Sequence, residues 1–302
     1  MPTSTMQPDS LAERYAQVCD KIARAAAASG RRENDVFLVA VTKNAEPEQI
    51  RQLIDLGHRD LGENRVQQLM QHAALVDEYF NRLKVLPSMR RSVDDQQLFP
   101  LGDDKLPALA SSKPSDNPVR AETKRSGIRW HMIGHLQRNK ARKIVDLVRL
   151  VHSVDSLRIA EELQTIALRR DCVIDVLLQI NCSGEASKFG CPVPAALPMA
   201  EQIETMINIR LRGVMTIAAD GASERDTRAT FARCRDIYEE IRTQGLGEGR
   251  CNLLSMGMSN DYQLAIHEGA NIVRVGSAIF GASTRPDTPD EPEPEEPDEE
   301  TP

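Results

Sequence analysis

The feature that most constrains this chain is an alternation. Short runs rich in Val, Ile and Leu are each followed by a segment with helical spacing, and the pattern recurs eight times. The runs fall at 36–41, 58–61, 129–133, 150–154, 173–180, 210–217, 252–255 and 271–275. Helical patterns start at Pro47 and Asn64, span 139–148 and 156–167, and follow each later run. The amphipathic segment Leu11–Ala28 precedes them all. The run VIDVLLQI at 173–180 is continuous and β-branched, as a parallel strand buried on both faces requires. Eight β-then-α units over about 250 residues predict a closed (β/α)8 barrel. An open doubly wound sheet shares the alternation, but eight consecutive units favour closure. No G-x-G-x-x-G follows the first strand either.

Two stretches lie outside the pattern. Residues 283–302 hold nine acidic residues, one Arg and six Pro, with nothing apolar to bury. This composition predicts a disordered tail, read as a solubilising appendage ahead of an interaction segment. The tail more than accounts for the net charge of −7, so the body is close to neutral and offers no basic face for nucleic acid. Between about 80 and 127, five prolines mix with Ser and charged residues without a sustained period. That stretch is expected to be a surface insertion within one domain spanning 8–282. No run approaches a membrane span, and the N-terminus lacks an apolar run after a basic start. The six cysteines form no C-x-x-C pair. A reduced, cytoplasmic protein is expected, and the absence of an obvious exposed apolar patch suggests a monomer.

In a (β/α)8 barrel the chemistry sits at the carboxyl ends of the strands. Those ends read Thr42-Lys43-Asn44, Gly62-Glu63-Asn64-Arg65, then His131 through Gly134-His135, and Asn181 with Lys188 after it. The seventh and eighth read Ser255-Met-Gly257-Met258-Ser259 and Arg274-Val-Gly276-Ser277. Glycine lets backbone amides approach an oxyanion, serine adds hydroxyl donors, and a following helix N-terminus favours negative charge. Either loop alone could be a tight turn with an N-cap. Together, on adjacent strands, they point to a phosphate site. A lysine ending an apolar strand is often only a solvated rim residue. Burial of the strand, however, removes part of the amine's hydration and favours the neutral, nucleophilic form. Lys43 facing a phosphate site fits a phosphorylated aldehyde cofactor, but it fits a Schiff-base aldolase or a phosphosugar isomerase equally well.

Seven segments narrow the choice: LVAVTK ending at Lys43, LGENRVQ from Leu61, WHMIGHLQRNK from Trp130, QIN through SKFG at 179–190, RGVMT from Arg212, LSMGMS from Leu254, and VRVGSAIFG from Val273. In this order they resemble the pyridoxal phosphate homeostasis protein family, which is related to the alanine racemase N-terminal barrel. The resemblance covers the chain from its first helix to about residue 282. It implies that pyridoxal 5′-phosphate (PLP) is held as a Schiff base on Lys43. Asn64 then lines the cofactor pocket, together with His131, Gly134 and Met258. Ser255, Ser259, Gly276 and Ser277 fall where the phosphate is held, and Arg274 faces the pyridine nitrogen. The chain departs from the family in the Asn-Ala-Glu-Pro47 that follows Lys43, in the long insertion and in the tail.

A guanidinium cannot readily protonate the ring nitrogen, which weakens the ring as an electron sink. The related racemases also draw a second base from a separate C-terminal domain, and here only the acidic tail follows Gly281. The expectation is therefore a PLP carrier in intracellular homeostasis, with apo PLP-dependent enzymes as partners. The rival is a PLP-dependent amino-acid racemase or lyase using His131, His135 or Lys188 as acid or base. A weaker third reading is a metal-free aldolase or isomerase built on Lys43.

Overall fold

The computed structural model describes residues 10–85, 127–185 and 188–281. Eight parallel strands close on themselves in sequence order. They are β1 (Phe37–Val41), β2 (Asp60–Glu63), β3 (Arg129–Met132), β4 (Val148–Val154), β5 (Ile174–Asn181), β6 (Ile209–Met215), β7 (Leu253–Ser255) and β8 (Ile272–Val275). Closure is made by β8 on β1, in register from Phe37 opposite Ile272 to Ala40 opposite Val275. The connecting helices are α2 (Pro47–Asp55), α3 (Val66–Val85), α4 (Arg138–Ile144), α5 (Leu157–Arg169), α6 (Ala196–Glu204), α7 (Glu224–Thr243), α8 (Tyr262–His267) and the single turn α9 (Ser277–Phe280). This is the barrel that the alternation predicts.

Helix α1 (Leu11–Ala28) starts on a capping box. The Ser10 hydroxyl accepts the Glu13 amide at 3.3 Å while the Ser10 amide reaches the Glu13 carboxylate at 2.7 Å. Its apolar stripe, including Leu11, Val18, Ile22 and Ala26, is buried. Arg14 Nε donates to Ile279 O at 2.7 Å, tying α1 to the last βα unit.

Several boundaries differ from expectation, among them the end of β6 at Met215 instead of 217. The second strand is Asp60–Glu63, not 58–61, which places Glu63 inside the sheet; His58 instead lies buried before it, with Nε2 2.8 Å from Asp60 O. The helix expected across 139–148 ends at Ile144, because Val148 pairs with Trp130 and opens β4. Helix α3 runs to Val85, into the stretch assigned to the insertion from about residue 80. Its buried Val66, Leu69, Ala73 and Val76 keep the helical period, and Tyr79 and Phe80 continue it against the core. Residues 86–126 of the insertion and the tail from 283 lie outside the described residues. A two-residue strand, Cys191–Pro192, pairs with the end of β5 and was not anticipated.

The main apolar core lies between the strands and the helices. Inside the barrel a small second cluster packs Val39, Leu150, Leu177, Met215, Leu253 and Ile272. The remaining interior is polar and buried, with Asp60, His131, His152, Ser255 and Arg274 among its residues. No helix among the described residues is long and apolar enough to cross a membrane.

Candidate functional site

A cleft of about 820 Å³ opens at the carboxyl ends of the strands. Lys43, Asn64, Gly134 and His135 enter it from the loops after β1, β2 and β3. Met258, Ser259 and Gly276 come from the loops after β7 and β8, Ser277 from the start of α9, and Arg274 from β8 itself. Eight of the ten sequence-assigned residues thus meet in one cleft, while His131 and Ser255 are not part of its lining.

Lys43 is placed by its backbone. The Thr42 amide donates to Gly62 O at 2.9 Å, and the Thr42 hydroxyl donates to the buried Glu63 carboxylate. His72 Nδ1 lies 2.7 Å from the same carboxylate, and Gln68 Nε2 donates to Lys43 O at 2.9 Å. Opposite, a Cβ at Gly134 would fall 2.1 Å from Asn64 O. Only glycine lets the loop after β3 lie against the loop after β2.

The far end of the cleft is rich in backbone donors. Gly257 has φ +88°, and a Cβ there would meet the Ala265 Cβ at 2.6 Å, so the turn after β7 needs glycine on both counts. The turn is pinned where the Met258 amide donates to Asp261 Oδ1 at 2.5 Å. It delivers the Ser259 hydroxyl to the start of α9, where it accepts the Gly276 amide at 3.1 Å and the Ala278 amide at 3.3 Å. A Cβ at Gly276 would sit 3.2 Å from Val41 O, tight enough to push this cradle away from β1. Converging amides, a hydroxyl and a helix N-terminus form a donor set suited to a phosphate group.

Below the cleft floor lies a chain of buried polar groups. Arg274, 3% exposed, donates through Nη1 to Ser255 Oγ at 2.5 Å and through Nη2 to Thr216 O at 2.9 Å. Burial pushes its guanidinium down to about 10, against the opposing pull of Asp261, so it stays charged at neutral pH. Ser255 Oγ is 3.0 Å from His152 Nδ1, and His152 Nε2 is 3.0 Å from His131 Nδ1. His131 Nε2 is 3.1 Å from Asp60 Oδ1, and Arg129 grips the Asp60 carboxylate with bonds of 2.8 and 2.6 Å. Strands β4 and β7 are not neighbours, so the contact between His152 and Ser255 crosses the barrel interior. Ser255, expected at the phosphate, is instead enclosed between Arg274 and His152, and His131 is one step deeper. Thr216 and His152 were not singled out from the sequence. The signal for His152 was a single histidine on the inward period of an apolar strand, between Leu150 and Val154.

At the mouth of the cleft, His135 stacks on Phe189 with ring centroids 4.2 Å apart, and its Nδ1 is 3.0 Å from Asp155 Oδ2. Lys188 Nζ is 3.3 Å from Asp220 Oδ2. Among the described residues no group of three or more His, Cys, Asp or Glu could hold a metal ion.

Closed barrel and cleft together define a protein of the alanine racemase N-terminal type. The family model "Alanine racemase, N-terminal domain" matches residues 119–284. The fold is likewise similar to alanine racemase from Corynebacterium glutamicum, with a TM-score of 0.54 at 13% identity, covering 90% of this chain and 62% of that one. Within that class the likeness is more specific. The chain is 35% identical to the pyridoxal phosphate homeostasis protein of Pseudomonas aeruginosa, over 90% of this chain and 95% of that protein. It is also similar to the structure of PipY from Synechococcus elongatus with PLP bound, at 28% identity and a TM-score of 0.64, covering 90% of this chain and all of that one. The chain belongs to the pyridoxal phosphate homeostasis protein family.

Proposed function

We propose that this chain binds PLP in the cleft, tethered to the Lys43 amine, and acts in PLP homeostasis by buffering the cofactor or delivering it to apo enzymes. The observation that carries the reading is the meeting of three chemistries around one cavity. A lysine stands at one wall, an oxyanion cradle of Ser259 with the Gly276 and Ala278 amides at another, and a buried guanidinium in the floor. A volume of about 820 Å³ lies within the range of small-molecule sites. When bound, PLP would supply an aldehyde that condenses reversibly with the lysine. The protein's own part is to hold that amine through the clamped Thr42, to receive the phosphate on amides and a hydroxyl, and to set a positive charge against the ring. Six unpaired cysteines support a reducing compartment, and we place the protein in the cytoplasm as a monomer.

The test is a visible spectrum of the loaded protein. Yellow protein with the cofactor fixed on Lys43 by borohydride, colour absent in Lys43→Ala, and transfer to an apo PLP enzyme are expected. A Lys43→Ala protein that still traps PLP covalently in this cleft would refute the attachment. One observation keeps a catalytic reading in view: His135 faces the cleft with Asp155 orienting its ring, as a general base would be held. Turnover of L-amino acids by the same loaded protein, lost in His135→Phe, would favour a racemase or lyase over a carrier.

A further inference from the structure

The polar chain through the barrel has a fixed starting point at each end. A guanidinium can only donate hydrogen bonds, so Arg274 Nη1 donates to Ser255 Oγ. Burial raises the Asp60 carboxyl, but hydrogen bonds from Arg129 and His131 outweigh it and keep the group ionised, so Asp60 can only accept. Between these ends stand three groups, Ser255, His152 and His131, linked by contacts of 3.0, 3.0 and 3.1 Å.

Proton positions follow from the ends inward. Asp60 accepts, so His131 carries its proton on Nε2. If that ring is neutral, its Nδ1 is an acceptor, which requires the proton of His152 on Nε2. His152 Nδ1 is then an acceptor too, and it receives the Ser255 hydroxyl proton. The Ser255 oxygen remains open to Arg274. Every contact is satisfied once and every donor points the same way, from Arg274 toward Asp60. An additional proton on either ring breaks the order. His152 Nδ1 would then donate to Ser255 Oγ, which already accepts from Arg274. The Ser255 proton would lose its acceptor in a site with no solvent access.

We propose that Ser255, His152 and His131 form a one-directional hydrogen-bond relay with both rings neutral, which positions Arg274 in the floor of the cleft. They are positioning residues, since none of the three lines the cavity. Arg274 has two anchors from other strands, Ser255 Oγ and Thr216 O, and the relay governs the first. The consequence for the cofactor rests on the reading that PLP occupies this cleft; the proton arrangement does not.

The experiment therefore has two arms. In the first, ring-nitrogen NMR on the full-length, cofactor-free protein labelled at histidine reads the tautomers, with His131→Asn and His152→Gln used for assignment. Both rings are expected neutral with the proton on Nε2. A proton on His152 Nδ1, or a doubly protonated ring in the folded protein at neutral pH, would overturn the relay whether or not PLP binds. In the second, PLP affinity and the visible absorption maximum are measured for Ser255→Ala and Ser255→Thr. Loss of one charge-assisted hydrogen bond should weaken PLP about tenfold and move the absorption maximum in Ser255→Ala. Ser255→Thr keeps a hydroxyl and should restore both. If Ser255→Ala matches the parent in affinity and spectrum, the positioning role is refuted even with the tautomers as expected. A parent protein that binds no PLP would instead refute the functional reading and leave the first arm standing.

Discussion

Thr42 is bound at two points, its amide to Gly62 O at 2.9 Å and its hydroxyl to the Glu63 carboxylate, so Lys43 leaves β1 from a fixed base. Across the cleft, Gly134 serves the same end by having no side chain. Gly134→Ala would place a Cβ 2.1 Å from Asn64 O, and backbone on one side or the other must give way. Overpacking of this kind costs roughly 1–3 kcal/mol, and because Asn64 lines the cleft, PLP affinity should fall along with stability. Urea unfolding and cofactor titration of the variant check both. Stability equal to the parent would show that the two loops separate freely. Lys43, Ser259 and Gly276 could be placed at one cleft from the sequence because their signals are local: a lysine ending an apolar strand, and Gly-Ser turns leading into helices. Ser255 was expected at the phosphate with them, but it lies below the cleft floor, outside the lining. It stands four residues before Ser259, yet it lies inside the barrel while Ser259 lies past the turn, and sequence spacing does not give depth. His131 and His152 meet across a separation of 21 residues that only strand pairing brings together.

Among the elements, the single turn α9 carries the most chemistry for its length. Its first amides have no carbonyl partners within the helix, and Ser259 from the neighbouring loop supplies an acceptor for two of them. Ser259→Ala leaves the Gly276 and Ala278 amides without that acceptor, at a cost of about 1 kcal/mol in the free protein. The Ser259 hydroxyl also keeps its own proton for a bound phosphate, so Ser259→Ala should bind PLP more weakly, and PLP should stabilise it less than it stabilises the parent. Thermal melts with and without PLP test this, and equal affinity in parent and variant would remove Ser259 from the cradle. The same scale shows why element boundaries were less readable than element order. Strand β2 is short, and its place in the sheet is set by pairing of Asp60 with Arg129 and Glu63 with Met132, partners 69 residues away. Helix α3 outran its expected end because Tyr79 and Phe80 keep contact with the core, and the Tyr79 hydroxyl donates to Asp55 Oδ1 at 2.5 Å. Neither fact can be read from the composition around residue 80.

For the molecule as a whole, buried polar groups couple stability to pH. His58 is 1% exposed, between the Tyr15 hydroxyl at 3.3 Å and Asp60 O at 2.8 Å. A neutral ring satisfies both, donating from Nε2 to the carbonyl and accepting the phenol at Nδ1. Burial, partly offset by the attraction of Asp60, pushes this histidine down to about 4. An unfolded histidine titrates near 6.5. The contribution of His58 is therefore fully present above about pH 6.5 and is lost as pH falls, because the unfolded chain takes up a proton that the folded protein refuses. Between about pH 6.5 and 4 this amounts to roughly 3 kcal/mol, and the loss from this residue levels off below that window. His152, also held neutral by burial, acts in the same direction. Asp60 is kept well below the usual carboxylate range by Arg129 and His131 despite its burial, so its loss begins only below about pH 4 and does not confuse the window. Urea unfolding of the parent from pH 7 to 4 should show a steep decline, and His58→Gln, which does not titrate, should start less stable and decline more gently. Parallel curves for the two proteins would mean that His58 is protonated in the fold at no cost, and the neutral arrangement with Tyr15 and Asp60 would have to be abandoned.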